Sequence, residues 1–423
     1  MANGIKSVRC CIAGGGPAGM MLGYLLARAG IEVVVLEKHS DFLRDFRGDT
    51  IHPSTLELMH ELGLLDEFLK LPHQKVYELN AQFGELRLTI ADFRHLPTRC
   101  GFVAFMPQWD FLNFLAEKAA RYRTFDLKME AEVIGLIEQS GRIIGVRAKT
   151  PDGLIEVRAD LIVGADGRTS VVREQAELQA REFGAPMDVL WFRIRRTAGD
   201  PAASMGRFDA GRIFIALNRG DYWQCGYVIA KGQFEEMRQQ DFDTFRAAIV
   251  KLAPYLQDSI HELRGWDDVK LLTVRVNRLD QWFRPGLLCI GDAAHAMSPV
   301  GGVGMNLAIQ DAVAAANVLF KPLQDREVSI DDLRRIQARR EFPTRVTQKL
   351  QLAVQNRVIA PVLTDKQSVK PPLAVRLLAK FPFFRRIPAR LIGLGIRPEH
   401  VSPELLRAYA SAGESDAARY PLP

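Results

Sequence analysis

The chain opens on a short apolar run, Ser7 to Ala13, that breaks into glycines, the pattern of a strand buried on both faces of a parallel sheet. Good helix formers fill Ala18 to Ala29, Gly30 stops them, and Glu32 to Leu36 repeats the apolar run before ending at Glu37. Residues 7–37 therefore predict a βαβ unit. Between residues 130 and 164 the texture changes: polar and apolar stretches are punctuated by Ser140-Gly141 and Pro151-Asp152-Gly153, which predicts the successive hairpins of an inserted three-stranded meander. Residues 186–230 alternate again, most regularly from Asp221 to Ile229, and predict a second antiparallel sheet able to form a pocket wall. From Leu287 the pattern returns to a buried strand and then a long helix starting near Gly304.

Composition adds what the pattern leaves open. At 423 residues, 48% hydrophobic and 25% charged, the chain is a folded globular protein and neither a disordered nor a fibrous one. The net charge of +6 is local, because residues 331–400 hold 15 Lys and Arg against 5 Asp and Glu, while the remainder holds 41 against 45. No nucleic-acid motif accompanies that surplus, so no nucleic-acid partner is expected. The five cysteines, Cys10, Cys11, Cys100, Cys225 and Cys289, form no CxxC pair and no ladder of spacings, which excludes a disulfide scaffold and gives no metal site. A reducing cytoplasm fits them, and Met1 to Lys6 carries no apolar signal segment. Gly286 to Phe320 is long and nearly uncharged, but Asp292, His295, Pro299 and clustered glycines interrupt it, so a loop feeding a buried helix is expected there in place of a membrane span.

Three glycine-aspartate motifs carry the chemistry. Gly14-Gly15-Gly16-Pro17-Ala18-Gly19 lies between a strand and a helix: Gly14 permits the turn, Gly16 lets a pyrophosphate reach the main chain, and Gly19 allows close helix packing. Pro17 and Ala18 open the helix, whose N-terminal N–H groups suit phosphate. Glu37, followed by Lys38, sits where a carboxylate accepts from a ribose diol. Asp166-Gly167 after the apolar strand Leu161 to Gly164 is, taken alone, the signature of a turn. Gly291-Asp292-Ala293-Ala294-His295, with Pro299, Gly302, Gly304, Met305 and Asn306 behind it, again joins strand to helix; Asp292 can accept from a polyol, and the helix start favours a developing negative charge. His295 reads as a hydrogen-bonded structural histidine before it reads as a general base.

In this order the motifs resemble those of the flavin-dependent aromatic hydroxylases, the single-component monooxygenases of the p-hydroxybenzoate and ubiquinone-ring hydroxylase group, over about residues 7–325. The resemblance implies FAD held by Gly14, Gly16, Pro17, Ala18, Gly19, Glu37, Lys38, Asp166, Gly167, Gly291, Asp292, Pro299, Gly302, Gly304, Met305 and Asn306, with Arg47 and Gln108 similar to an Arg and a Gln that contact FAD there. It implies NADPH or NADH as electron donor, molecular oxygen, and a small electron-rich aromatic substrate attacked by a flavin C4a-hydroperoxide. The implied fold is α/β: a Rossmann-like FAD-binding domain (1–75, 105–180, 270–330), an inserted antiparallel sheet for substrate (76–104, 181–269) and a helical C-terminal region (331–423). Tyr222, Gln224 and Tyr227 are the candidate substrate contacts, against the alternative of cross-strand packing. The phenol-activating tyrosines of the p-hydroxybenzoate enzyme have no counterpart here, so no catalytic acid or base is named. Two further readings stay open: a flavin-dependent reductase of the geranylgeranyl-reductase type, and a flavin-holding interaction protein.

The C-terminal stretch from Pro371 to Val401 interleaves apolar residues with Arg and Lys. Such a stretch suits either peripheral contact with the inner face of an anionic membrane or short helices packed on the catalytic body or on a dimer mate; Pro382 and Pro388 break any single helix.

Overall fold

The computed structural model describes residues 5–43, 50–201, 203–364 and 373–408. Its central sheet holds five parallel strands in the order Leu287–Cys289, Gly153–Gly164, Ile5–Ala13, Val33–Leu36 and Phe125–Lys128. Every residue of Val33–Leu36 is buried, as a continuous apolar run requires of a central parallel strand. The register aligns the strand ends. Ala13 pairs with Leu36 and with Gly164, and Gly164 pairs with Cys289, so four strands end level along one edge. The residues just beyond them, Gly14, Glu37, Ala165-Asp166 and Ile290-Gly291, are thereby delivered to the carboxyl edge, where ligands bind in open parallel sheets.

The meander forms from Glu132–Gln139, Arg142–Thr150 and Gly153–Gly164. It differs from expectation in one respect: its third strand is also a core strand of the parallel sheet. Residues 153–158 pair antiparallel with Arg142–Thr150, whereas Ile162–Gly164 pair parallel with Leu287–Cys289. Twelve residues in one strand reach across both, and burial becomes complete only from Leu161 onward.

A second sheet runs in the order Lys270–Leu272, Met187–Arg195, Tyr222–Ala230, Arg212–Asn218, Met205–Asp209, Glu78–Phe83 and Leu86–Asp92. It is antiparallel except where Met205–Asp209 meets Glu78–Phe83, because that partner arrives from a distant part of the chain. Helix Phe242–Leu252 covers one face, setting Phe245, Ile249 and Leu252 against Phe192, Trp223, Cys225 and Tyr227.

Helix Gly304–Asp325 is a core helix, with Ile309, Ala312, Val313 and Ala316 buried in the same cluster as Met20, Leu22 and Leu26 of helix Pro17–Arg28. Its apolar length therefore belongs to the interior. Helix Ile330–Val354 starts at a capping box, in which Ser329 and Asp332 satisfy each other's main chain, and continues through a π-turn at Gln355–Ile359 into Ala360–Thr364. Ile359 and Val362 reach the free face of the second sheet, among Val189, Ile213 and Val228. Beyond it, Leu373–Lys380 and Arg386–Gly393 are separate helices, broken near Pro382 as expected; Pro388 does not break the second, because it falls in that helix's first turn, where a missing N–H costs no intrahelical bond. Ala389 is buried among Phe93, Val103 and Phe105, so the C-terminal region packs on the body.

Close packing at the first glycine turn is testable. A Cβ on Gly19 would stand 2.0 Å from the Gly14 carbonyl oxygen, a main-chain atom that cannot yield. Gly19→Ala is expected to lower stability by about 3 kcal/mol in urea unfolding. Gly135→Ala, which meets nothing within 4 Å, is expected to stay within about 0.5 kcal/mol of the parent.

Candidate active site

Three loops that are far apart in sequence touch at the carboxyl edge. Gly14 has φ +103°, and a Cβ there would lie 2.4 Å from the Ala165 carbonyl oxygen and 2.8 Å from Asp166 Cα. Main-chain bonds lock the approach: Ala165 N–H donates to Ala13 O and Gly14 N–H to Leu36 O, each at 2.8 Å. Gly291 is wedged between the first and last core helices, where a Cβ would lie 3.2 Å from those of Ala18 and Ala308. Arg168 closes the ring, its Nε donating to Asp292 Oδ2 at 3.0 Å.

The edge has the donor set of a dinucleotide cradle. Nothing lies within 4 Å of a Cβ built on Gly16, so the space above the turn is open. Pro17 is the first residue of its helix, and the N-terminus there carries no side-chain cap and no acidic residue in its first turn. The same is true at Gly304 and Met305, which begin the other helix behind Pro299 and Gly302. Two uncapped helix starts thus bring N–H groups and positive dipole ends to the neighbourhood of Gly291. Glu37 is only 8% exposed, and its carboxylate is fixed by the Gly15 N–H at 2.9 Å and the His39 N–H at 3.1 Å. Lys38 beside it is exposed. Gln108 is half-buried at the first position of helix Gln108–Ala119, next to Trp109. Arg47 lies outside the described residues. These residues fit FAD: an open glycine turn for the pyrophosphate, a carboxylate at each flank for hydroxyls, and a helix start for the ring.

Asp166 holds its own turn. It accepts from the Ser170 hydroxyl and, at 3.1 Å, from the Val172 N–H, while burial pushes its carboxyl above the ordinary value and these bonds pull it back. Gly167, with φ +86°, completes the turn. His295 is buried and hydrogen-bonded: it is 1% exposed, lies against the Trp282 ring at 4.9 Å and bonds Asp311. Asp311, fully buried, also accepts from Gly291 N–H at 3.1 Å and from Arg340 Nε at 2.9 Å. Burial alone would raise its carboxyl; the attraction and hydrogen bonds of His295 and Arg340 outweigh this and hold it below the ordinary value.

Sequence reasoning missed the residues that hold the loop behind the site. Gln348, Gln351 and Gln355 project from one helix face: Gln348 bonds Ala296 O, Gln351 bonds Ser298 N, Ser298 O and Val300 O, and Gln355 bonds the Ser298 hydroxyl. Their spacing, three and then four residues, is a polar stripe legible on a helix, but nothing in sequence says what it faces. Asn306, named as a flavin contact, spends its side chain on the Thr50–Thr55 segment: it donates to Thr50 O at 2.9 Å and accepts from His52 N–H and the Thr55 hydroxyl at 2.9 and 2.8 Å. His52 in turn bonds Ile392 O through Nδ1 at 2.7 Å, tying the C-terminal helix to this wall.

On the substrate side, the alternation of strand Tyr222–Ala230 divides the three candidates. Tyr222 and Gln224 share the parity of Val228, on the face that receives Val300 from the flavin-side loop. The Tyr222 ring stacks beneath the Arg193 guanidinium at 5.1 Å, and Gln224 Oε1 accepts from Arg219 Nε at 2.9 Å. Tyr227 points the other way, into the core under helix Phe242–Leu252, with its ring 5.3 Å from Phe245. It cannot share a pocket with the other two, because a strand sends neighbouring parities to opposite faces.

A family model described as an FAD binding domain matches residues 7–349. The chain is 31% identical to 6-methylpretetramide 4-monooxygenase of Streptomyces rimosus over 384 residues, 90% of this chain and 91% of that one. This protein belongs to the FAD-dependent aromatic monooxygenases. Rifampicin monooxygenase of Rhodococcus hoagii is 26% identical over 314 residues, and the match spans 71% of this chain and 61% of that one. The fold of this flavoenzyme matches anhydrotetracycline hydroxylase OxyS of Streptomyces rimosus with TM-score 0.73 at 23% identity, covering 94% of this chain and 78% of that one. A probable FAD-dependent monooxygenase of Pseudomonas aeruginosa, pqsL, gives TM-score 0.71 at 23% identity, with 85% and 97% covered.

Two outcomes test the site. Gly16→Val is expected to leave the melting temperature of the FAD-free protein unchanged, since its side chain meets no protein atom, and to abolish FAD retention on gel filtration. His52 is buried and its imidazole is pushed down from 6.5 to about 4 by loss of solvation. Between those values the unfolded chain takes a proton that the folded one refuses, so stability is full above the upper value and falls on acidification. The expected loss is about 3 kcal/mol by the lower value, read from unfolding midpoints across pH, and His52→Asn should flatten that limb.

Proposed function

We propose that this enzyme uses NADPH or NADH and molecular oxygen to hydroxylate an electron-rich, phenolic aromatic ring. The observation that carries the reading is the match to a 4-monooxygenase over nine-tenths of the chain, second sheet included. When bound, FAD supplies the electron transfer and oxygen activation that side chains lack. The chain's own residues do the rest. Gly16 and the helix start at Pro17 receive the pyrophosphate, Glu37 and Asp292 the sugar hydroxyls, and the N–H groups at the start of helix Gly304–Asp325 support negative charge at the ring. The loop Ala296–Val300, pinned by its three glutamines, keeps water from the reacting face. Tyr222 and Gln224 orient the substrate from the opposite sheet.

One surface cavity supports the reading that a dinucleotide serves as donor. A cavity of about 410 Å³ next to Asp166-Gly167 is lined by Arg168, Arg173 and Arg275 together with Glu174 and Glu177, and its three cations support a role in receiving a dinucleotide's phosphates. The five cysteines are all free and buried, which suits work in the reducing cytoplasm.

The purified holoenzyme, mixed with NADPH and a panel of phenols, quinone precursors and polyketides under labelled oxygen, is expected to show NADPH consumption accelerated by one ligand class and one ¹⁸O atom in the product. Turnover with no label in the product would instead identify a reductase.

A further inference from the structure

Residues 366–398 carry eight Lys and Arg and no Asp or Glu. The described part of this stretch has a seated side and an outward side. On the seated side Ala389 is fully buried, and a Cβ on Gly393 would lie 2.8 Å from Leu96 Cδ1. On the outward side stand Leu377, Phe381, Phe383, Phe384 and Ile387, each between 44% and 68% exposed. The three phenylalanines adjoin one another, the Phe384 ring lying 6.1 Å from those of Phe381 and Phe383, and Leu377 stands one helical turn before Phe381, whose N–H its carbonyl accepts at 2.9 Å. Arg376, Lys380, Arg386 and Arg390 on the same segment are exposed, and two of them lie directly over the ridge, Lys380 Nζ 5.7 Å above the Phe381 ring and the Arg386 guanidinium 5.2 Å above that of Phe383.

Single exposed apolar side chains are ordinary, but three adjoining exposed phenylalanines with Leu377 and Ile387 exposed on the same short segment mark a surface that something covers. The charge chooses what. A second copy docked through the same patch would set cation against cation about a two-fold axis. Nucleic acid would satisfy the arginines and leave Leu377 and Ile387 in water. An anionic bilayer satisfies both, with aromatic and aliphatic side chains in the acyl boundary and cations among the headgroups, their stems running along the apolar ridge. We infer that the Leu377–Arg390 ridge docks this enzyme onto an anionic lipid surface. This assignment is independent of which aromatic ring is hydroxylated.

The test is flotation of the full-length holoenzyme with vesicles of phosphatidylcholine alone and of phosphatidylcholine with one part in three phosphatidylglycerol. Recovery with the anionic vesicles is expected to be at least about tenfold higher, since each cation near such a surface contributes about fivefold. It is expected to vanish at about 0.5 M salt, where charges at the surface are screened. The double variant Phe383→Ser, Ile387→Ser should lose the binding while keeping its FAD content and NADPH oxidation in solution; Arg386→Gln with Arg390→Gln should weaken it without altering either. Equal recovery with neutral vesicles, or none with anionic ones, overturns the assignment. So does a dimer by light scattering that the double serine variant converts to monomer, because the ridge would then be covered by a second copy.

Discussion

The site depends on two main chains touching with no side chain between them. At Gly14 the first strand leaves the sheet against Ala165 and Asp166, at a distance that a Cβ would close to 2.4 Å. Gly19 makes the same allowance for the first turn of the adjoining helix. The strand register brings both loops level, but only glycine lets them meet, and their meeting sets the first helix start over the carboxyl edge of the sheet. Gly291, pressed between Ala18 and Ala308, adds the second helix start.

A buried charge cluster fixes that second turn from behind. Asp311 accepts from Gly291, His295 and Arg340, and Arg340 also lies 3.5 Å from Glu399 near the C-terminus. An ion deprived of its partner at such depth costs about 3–5 kcal/mol, so the cluster holds together or fails together. Neutral bonds from Gln348, Gln351, Gln355 and Asn306 extend the same support to the adjoining loops. The far C-terminal region thus belongs mechanically to the candidate site: Glu399 reaches Asp311 through Arg340, and Ile392 accepts from His52.

The second sheet divides its labour by face. Trp223, Cys225 and Tyr227 face the covering helix and make a core, while Tyr222 and Gln224 share the opposite face with Val228, which packs in the cluster that receives Val300. A rigid packed back of this kind holds the groups on the opposite face in fixed orientation. The C-terminal helices obey the same logic, one side packed and the other presenting phenylalanine and arginine outward.

Much of this was legible in the residues. The glycines, the flanking Glu37 and Asp292, and the buried runs around them specified strands, turns and helix starts, because backbone geometry and desolvation act locally and leave few alternatives. The breaks at Gly30 and Pro382 were equally plain. Sequence could not say that Asn306 faces Thr50, that the glutamine stripe grips Ser298, or that Tyr227 turns from Tyr222, since each depends on which surface another segment brings up. The third strand of the meander doubled as a core strand for the same reason: pairing is chosen by a partner more than a hundred residues away. Local chemistry thus determined what each turn could hold, and tertiary packing decided which turns met.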